Sequence, residues 1–152
     1  MTAENYWYGE LEPGWFYKLD EIVYQFLRHN GYVSCLALEC LRQRSEDSFL
    51  FSCDLELIKR GSNSRKPEFE LDILAIVDGA VVLGEAKKNS KLERREIKKY
   101  LHLANQIGAT KIAFATFAMS WGDEVLAEIV EYTDRANIES VVLTHSSLLS
   151  SL

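Results

Sequence analysis

The chain has 152 residues, 47% hydrophobic and 26% charged, with only 2 prolines and 8 glycines, which excludes a disordered tail, a collagen and a coiled coil. A domain of about 150 residues buries roughly 70% of its unfolded surface, enough for a core that needs no disulfide staples. The 17 basic and 23 acidic residues leave a net charge of -6, which taken whole speaks against a polyanionic partner. Cys35, Cys40 and Cys53 are odd in number and form no CxxC, so they read as reduced, mostly buried residues rather than a disulfide framework or a zinc site. The segment MTAENYWYGE has no basic and apolar leader, and no apolar run approaches the ~18 residues of a membrane span. A single cytoplasmic domain over residues 1–152, with no membrane partner, is the expectation.

In chain order, residues 1–17 form an aromatic arm (Tyr6, Trp7, Tyr8, Trp15, Phe16, Tyr17) around Pro13-Gly14, expected to pack on a core spanning 18–117. Leu19, Ile22, Val23, Phe26 and Leu27 recur with helical spacing, and Asn30-Gly31 supplies a stop. Two strands are predicted at about 33–43 and 49–59, separated by the polar turn Ser45-Glu46-Asp47-Ser48, and a polar, basic loop follows over 61–67. Two apolar runs, Leu71 to Val77 and Ala80 to Leu83, meet at Asp78-Gly79, a strong hairpin signal. Ser90-Lys91-Leu92-Glu93 has capping-box spacing and opens a helix to about Ile107, ended by Gly108. Residues 118–152 add a C-terminal part: after a strand at Lys111 to Phe117 come a helix at Asp123 to Ala136, a strand at Ile138 to Thr144, and a tail, Ser146 to Leu152, that reads as a domain edge or linker. This order predicts an α/β fold with helices flanking a mixed central sheet in three layers.

The hairpin places charges where a core belongs. With Asp78-Gly79 as the loop, Val77 faces Ala80, Asp72 lies opposite Glu85 and Glu70 opposite Lys87, so all four charged residues share one sheet face. That face continues as Leu74, Ile76, Val81 and Leu83, and like charges directly opposed on a strand pair are destabilising. A divalent cation resolves the conflict, because two carboxylates, a carbonyl and waters suit Mg²⁺ or Mn²⁺. Lys87 then points into the same site, where an ammonium can position a nucleophile and offset charge on phosphoryl oxygens. The alternative is an exposed hairpin face on which Glu70 and Lys87 make an ordinary ion pair.

Asp72, followed thirteen residues on by Glu85-Ala86-Lys87 with apolar strands between, resembles the PD-(D/E)xK nuclease superfamily, whose restriction-endonuclease-like fold includes Holliday junction resolvases. The order of elements agrees from about Lys18 to Phe117, although Leu71 rather than proline precedes Asp72. The resemblance implies a Mg²⁺-dependent deoxyribonuclease, in the first instance an endonuclease, with Mn²⁺ able to substitute. It implies that Asp72, Glu85 and the Ala86 carbonyl bind the metal and that Lys87 assists the attacking water. Many members add an acid from the first helix; Asp20 and Glu21 are the candidates here, and helical geometry favours Asp20. A homodimer or a part in a larger assembly stays open, as does a catalytically silent binding module on the same fold.

Divided by position, the charge changes meaning. Residues 59–99 hold 11 basic and 7 acidic residues, leaving 6 basic and 16 acidic residues elsewhere. Lys59, Arg60, Arg65 and Lys66 precede the hairpin, and Lys88, Lys91, Arg94, Arg95, Lys98 and His102 follow it. A solvated helix face would look the same, but beside a metal site these cations read as a surface that tracks the phosphates of DNA, with RNA left open and no groove-reading motif.

Overall fold

The computed structural model describes residues 19–58, 60–61 and 66–150, with Cys53 described through its backbone alone. The aromatic arm at 1–17, Lys59 and Arg65, most of the polar loop after Gly61, and the last two residues of the tail lie outside them. The elements are α1 (Glu21–Arg28), α2 (Gly31–Gln43), β1 (Phe49–Leu57), β2 (Phe69–Val77), β3 (Ala80–Lys87), α3 (Arg94–Ile107), β4 (Lys111–Thr116), α4 (Asp123–Ala136), β5 (Glu139–Leu143) and α5 (His145–Leu149). The architecture is α/β. The strands form an open mixed sheet in the order β1-β2-β3-β4-β5, antiparallel through β3 and parallel from β3 to β5.

Two crossovers explain the parallel half. Parallel neighbours need a long connection, and α3 and α4 supply it after β3 and β4. Both helices pack on one face, where Ile97, Tyr100, Leu101, Ala104 and Ile129 bury against Phe69, Leu71, Leu83, Ile112 and Phe114. The opposite face carries Ile73, Ala75, Val82, Ala113 and Val141, covered by α2 through Val33, Ala37, Leu38 and Leu41 and by α5 through Leu148. β4 is therefore buried on both sides, and its sequence KIAFAT is apolar from Ile112 to Ala115 and closed by buried Thr116.

Three expectations change. Residues 33–43, predicted as a strand, belong to α2. Its buried positions include Ser34, Ala37, Leu38 and Leu41, with the i, i+3, i+4, i+7 spacing of a helix, and this period outweighs the β-branched Val33 at its start. α1 does end before Asn30-Gly31, and Asn30, with φ of 61°, bends the chain directly into α2; a Cβ on Gly31 would come within 2.6 Å of Phe26. α3 starts at Arg94 rather than near Ser90: the chain bends over 88–90, Leu92 is buried ahead of the helix, Glu93 is extended, and the Glu96 carboxylate accepts from the Glu93 N–H at 2.7 Å. The tail forms α5, anchored by fully buried Leu148, and is no linker over the residues described.

Among the described residues the apolar stripe of α1 holds no buried side chain: Ile22 is 80% exposed, and the helix packs chiefly along α2. Among the described residues no helix is long and apolar enough to cross a membrane.

Candidate active site

Asp78 and Gly79 turn the chain with φ of 49° and 81°, the pair of left-handed residues a two-residue hairpin requires. The register is the expected one, from Val77↔Ala80 back to Ile73↔Gly84. There the ladder stops, and Asp72 and Glu85 are not ladder partners. On the other side of β2, Asp54 takes φ of 52° and drops out of pairing between Cys53↔Ile73 and Leu55↔Leu71. At the same point the buried positions of β2 change sides: Phe69 and Leu71 pack with α3, Ile73 and Ala75 with α2. The single charged face predicted for Glu70, Asp72, Glu85 and Lys87 therefore does not form as expected. Glu70 is exposed, and Lys87 pairs with other acids.

β3 parts from β2 here because it is held by β4, through Glu85↔Phe114, Ala86↔Ala115 and Lys87↔Thr116. Gly84 permits the close approach. A Cβ there would stand 2.7 Å from the Ala113 carbonyl oxygen and 3.1 Å from the Ile73 Cβ. The gap is bridged by Asp72, whose Oδ2 accepts from the Ala86 N–H at 2.8 Å. Backbone groups of successive strand residues alternate between the two neighbours. The Lys87 carbonyl faces away from β2 and accepts from the Phe117 N–H at 2.9 Å, so the C=O of Ala86, like its N–H, is on the β2 side of the strand.

Glu85 is clamped from two directions. One carboxylate oxygen accepts from the Tyr100 hydroxyl and the other pairs with the Lys87 ammonium. Lys87 Nζ also donates to Glu96 Oε1 at 2.9 Å, so the first turns of α3 are tied to the Glu-x-Lys strand. An ammonium has three N–H donors, and these two carboxylates use two.

The electrostatics are strained in one place. Burial, joined by the charge of Glu85 and to a lesser extent of Asp54, pushes Asp72 up to about 6, against the pull of the Ala86 N–H and Lys87. Burial works to strip the proton from Lys87, but its hydrogen bonds to Glu85 and Glu96 prevail and hold it above the ordinary lysine value. Burial and the Glu85 carboxylate likewise raise Tyr100, which stays a hydroxyl donor. Two carboxylates side by side, one already inclined to take up a proton, form a centre that a proton or a cation relieves.

No family model matches the chain, and no curated protein matches it.

The donor set suits a hard divalent cation, since Asp72, Glu85 and the Ala86 carbonyl offer oxygen only. Among the described residues no cluster of three or more His, Cys, Asp or Glu side chains gathers to hold a metal, so waters would complete the coordination. Asp20 is not brought to this pair. Its carboxylate accepts from the Ile22 N–H at 2.9 Å and caps α1, while Glu21 accepts from Gln25 at 2.7 Å. The nearby acids are instead Asp54 and Glu96.

Of the cations predicted to track phosphates, Lys88 and Lys91 are exposed at the exit of β3. Arg94 pairs with Glu128, Arg95 with Glu93 at 2.6 Å, and Lys98 lies 5.1 Å from the centre of the Tyr132 ring. Tyr100 and Glu96 were legible only as part of an apolar stripe and as a counter-charge. The signal was their i, i+4 spacing, which puts both on the helix face that meets the sheet.

Proposed function

We propose that the chain is a metal-dependent nuclease of the PD-(D/E)xK type, built on a three-layer restriction-endonuclease-like fold, that hydrolyses phosphodiester bonds of DNA with Mg²⁺ or, in its place, Mn²⁺. One observation carries the reading: Asp72 and Glu85 converge at the parted ends of β2 and β3, with Lys87 locked beside Glu85. The helix-strand order from α2 through β4, with the hairpin β2-β3 followed by α3 and a parallel β4, supports the reading.

Asp72, Glu85 and the Ala86 carbonyl would hold the cation, which supplies Lewis-acid stabilisation of the phosphoryl group and makes water a better nucleophile. The residues around them have defined tasks. Tyr100 and Lys87 fix the orientation of Glu85, and the Ala86 N–H fixes Asp72. Lys87, held in its charged form, is no general base; its third N–H is directed to a phosphoryl oxygen or the attacking water, where a fixed positive charge stabilises the developing negative one. Lys88 and Lys91 attract the backbone, and solvent protonates the leaving 3′ oxygen.

The test is cleavage of linear, circular, single-stranded and branched DNA, and of RNA, with Mg²⁺, Mn²⁺ or chelator. Glu85→Gln or Lys87→Ala abolishes Mg²⁺-dependent cutting while circular dichroism is unchanged. An active, metal-independent double variant refutes the proposal. The second reading, a silent assembly module on the same fold, is favoured by the exposed apolar stripe of α1, and absence of Mn²⁺ binding by calorimetry would support it.

A further inference from the structure

A cleft of about 580 Å³ opens between the end of β1, the start of β2 and the second half of α3. That volume is typical of small-ligand sites, which run to ~300–1,000 Å³. Its walls are Leu57, Phe69 and Leu103, and its polar groups are Glu68, His102 and Gln106, with Lys99 at 4.0 Å from the centre of the Phe69 ring. The residues from α3 are at positions 99, 102, 103 and 106, the i, i+3, i+4, i+7 spacing of one helix face.

The cleft is joined to the acidic centre by a single layer of side chain. Phe69 packs edge-on against Tyr100 with ring centres 5.1 Å apart, and the Tyr100 hydroxyl binds Glu85. His102 and Leu103 follow Tyr100 within one helical turn, about 5.4 Å along the axis. Asp72 follows Phe69 by three residues along β2, about 10 Å at ~3.3 Å per residue, so the adjoining nucleotide of a strand whose phosphate lies at Asp72 and Glu85 is within reach of the cleft. Its apolar walls suit the faces of a planar ring. Glu68 accepts N–H groups, Gln106 both donates and accepts, and His102 does either according to tautomer, which is the inventory that reads a base edge. Lys99 supplies a cation for the neighbouring phosphate, in a stretch (residues 59–99) where bases outnumber acids 11 to 7.

We propose that this cleft takes an unpaired nucleobase flanking the scissile phosphate, which makes single-stranded or frayed nucleic acid the substrate class. The inference rests on the nuclease reading for the position of the phosphate. A paired base is held in its stack with its edge against its partner, so a duplex has to open to fill the cleft.

The experiment is binding of short oligothymidylate and oligouridylate strands by the full chain in Ca²⁺, followed by fluorescence anisotropy and by the His102 ring signals in NMR, with strand integrity checked on gels. One strand series carries a single abasic sugar at each position in turn. Two variants alter only exposed cleft residues: His102→Ala/Gln106→Ala, and Gln106→Trp, which fills the space. Base-bearing single strands move the His102 signals and bind about tenfold or more tighter than the strand abasic at the critical position. Each variant loses the same factor, and the abasic strand binds wild type and variant alike. Binding in either sugar series supports the cleft, and the preferred one identifies DNA or RNA. Unmoved His102 signals, indifference to abasic position, or blunt duplex bound as well as single strand overturns it. Cleavage in Mg²⁺ is scored separately: cutting without base dependence keeps the nuclease reading and rejects the cleft, and base-dependent binding without cutting does the reverse.

Discussion

Replacing Asp72 by asparagine in the metal-free protein should make it more stable and, at the same time, inactive. The Asp72 carboxyl rises from 3.8 to about 6 through burial and the charge of Glu85, so the folded state holds its proton more tightly than the unfolded chain. For such a group the stabilisation is complete below about pH 4 and is lost as pH rises through about 6. At ~1.4 kcal/mol per unit the loss amounts to about 3 kcal/mol at neutral pH, an upper figure because the site relaxes. The asparagine side chain would keep an oxygen for the Ala86 N–H and remove the charge. The melting temperature of Asp72→Asn in chelator at pH 8 should exceed that of wild type by up to about 6–12 °C, at the ~2–4 °C per kcal/mol usual for a domain of this size, and the gap should close towards pH 4. The assay is calorimetric or denaturant unfolding of both proteins from pH 4 to 8, read as the difference between them. Adding Mn²⁺ should then raise the wild type by mass action, about 2.7 kcal/mol at a hundredfold excess over Kd, and leave Asp72→Asn unmoved. An Asp72→Asn protein less stable than wild type at pH 8, or a difference that is flat with pH, refutes the reasoning, since Asp72 would then be an ordinary structural acid.

Tyr100→Phe keeps the ring against Phe69 and Phe114 and removes the hydroxyl that donates to Glu85 and, at a longer 3.4 Å, meets the Glu70 carbonyl, so Mn²⁺ affinity measured by calorimetry should fall about 10–100-fold with the fold intact. An unchanged affinity would show that the hydroxyl does not position Glu85. Lys87→Arg preserves a permanent cation and should retain partial cleavage, with a pH profile between pH 7 and 9 that parallels the wild type's, as a fixed positive charge requires. A rate that rises over that range in wild type and not in Lys87→Arg would make Lys87 a general base and refute the fixed-charge role.

The hairpin was legible because Asp-Gly dictates both a turn and a register, and a register dictates which residues approach. The parting of the strands was not. It depends on Asp54 adopting a left-handed backbone on a neighbouring strand, and on β4 drawing β3 away at Gly84, neither of which a local pattern announces. The result still brings Asp72 beside Glu85, through a side chain-to-backbone bond where a ladder pair was expected. α2 was misread because Tyr32-Val33 suggested a strand, while the helical period that decides the matter runs through the small residues Ser34 and Ala37, weak carriers of a hydrophobic signal. Asp20 looked like a site acid from its place on a helical wheel. Its location just before the first helical residue makes it a cap, and the wheel does not apply to a residue outside the helix.

The charge question is sharpened by the pairing of individual residues. The basic stretch persuades by number, yet Arg94 and Arg95 are neutralised by Glu128 and Glu93, and Lys87 has two of its three N–H donors on Glu85 and Glu96. Among the described residues Lys88 and Lys91 are exposed where β3 exits, and Lys98 and Lys99 on α3 lie over the Tyr132 and Phe69 rings, a small set to hold a long duplex by its phosphates against a net charge of -6. Grip on a substrate must then come from contacts that do not scale with phosphate number. A cation shared between Asp72, Glu85 and one phosphate is such a contact, and so is a cleft that accepts a base. Both are short in reach and both demand a locally opened strand. On the nuclease reading, an acidic domain of this kind would recognise a place in a nucleic acid by what is exposed there, rather than track its length.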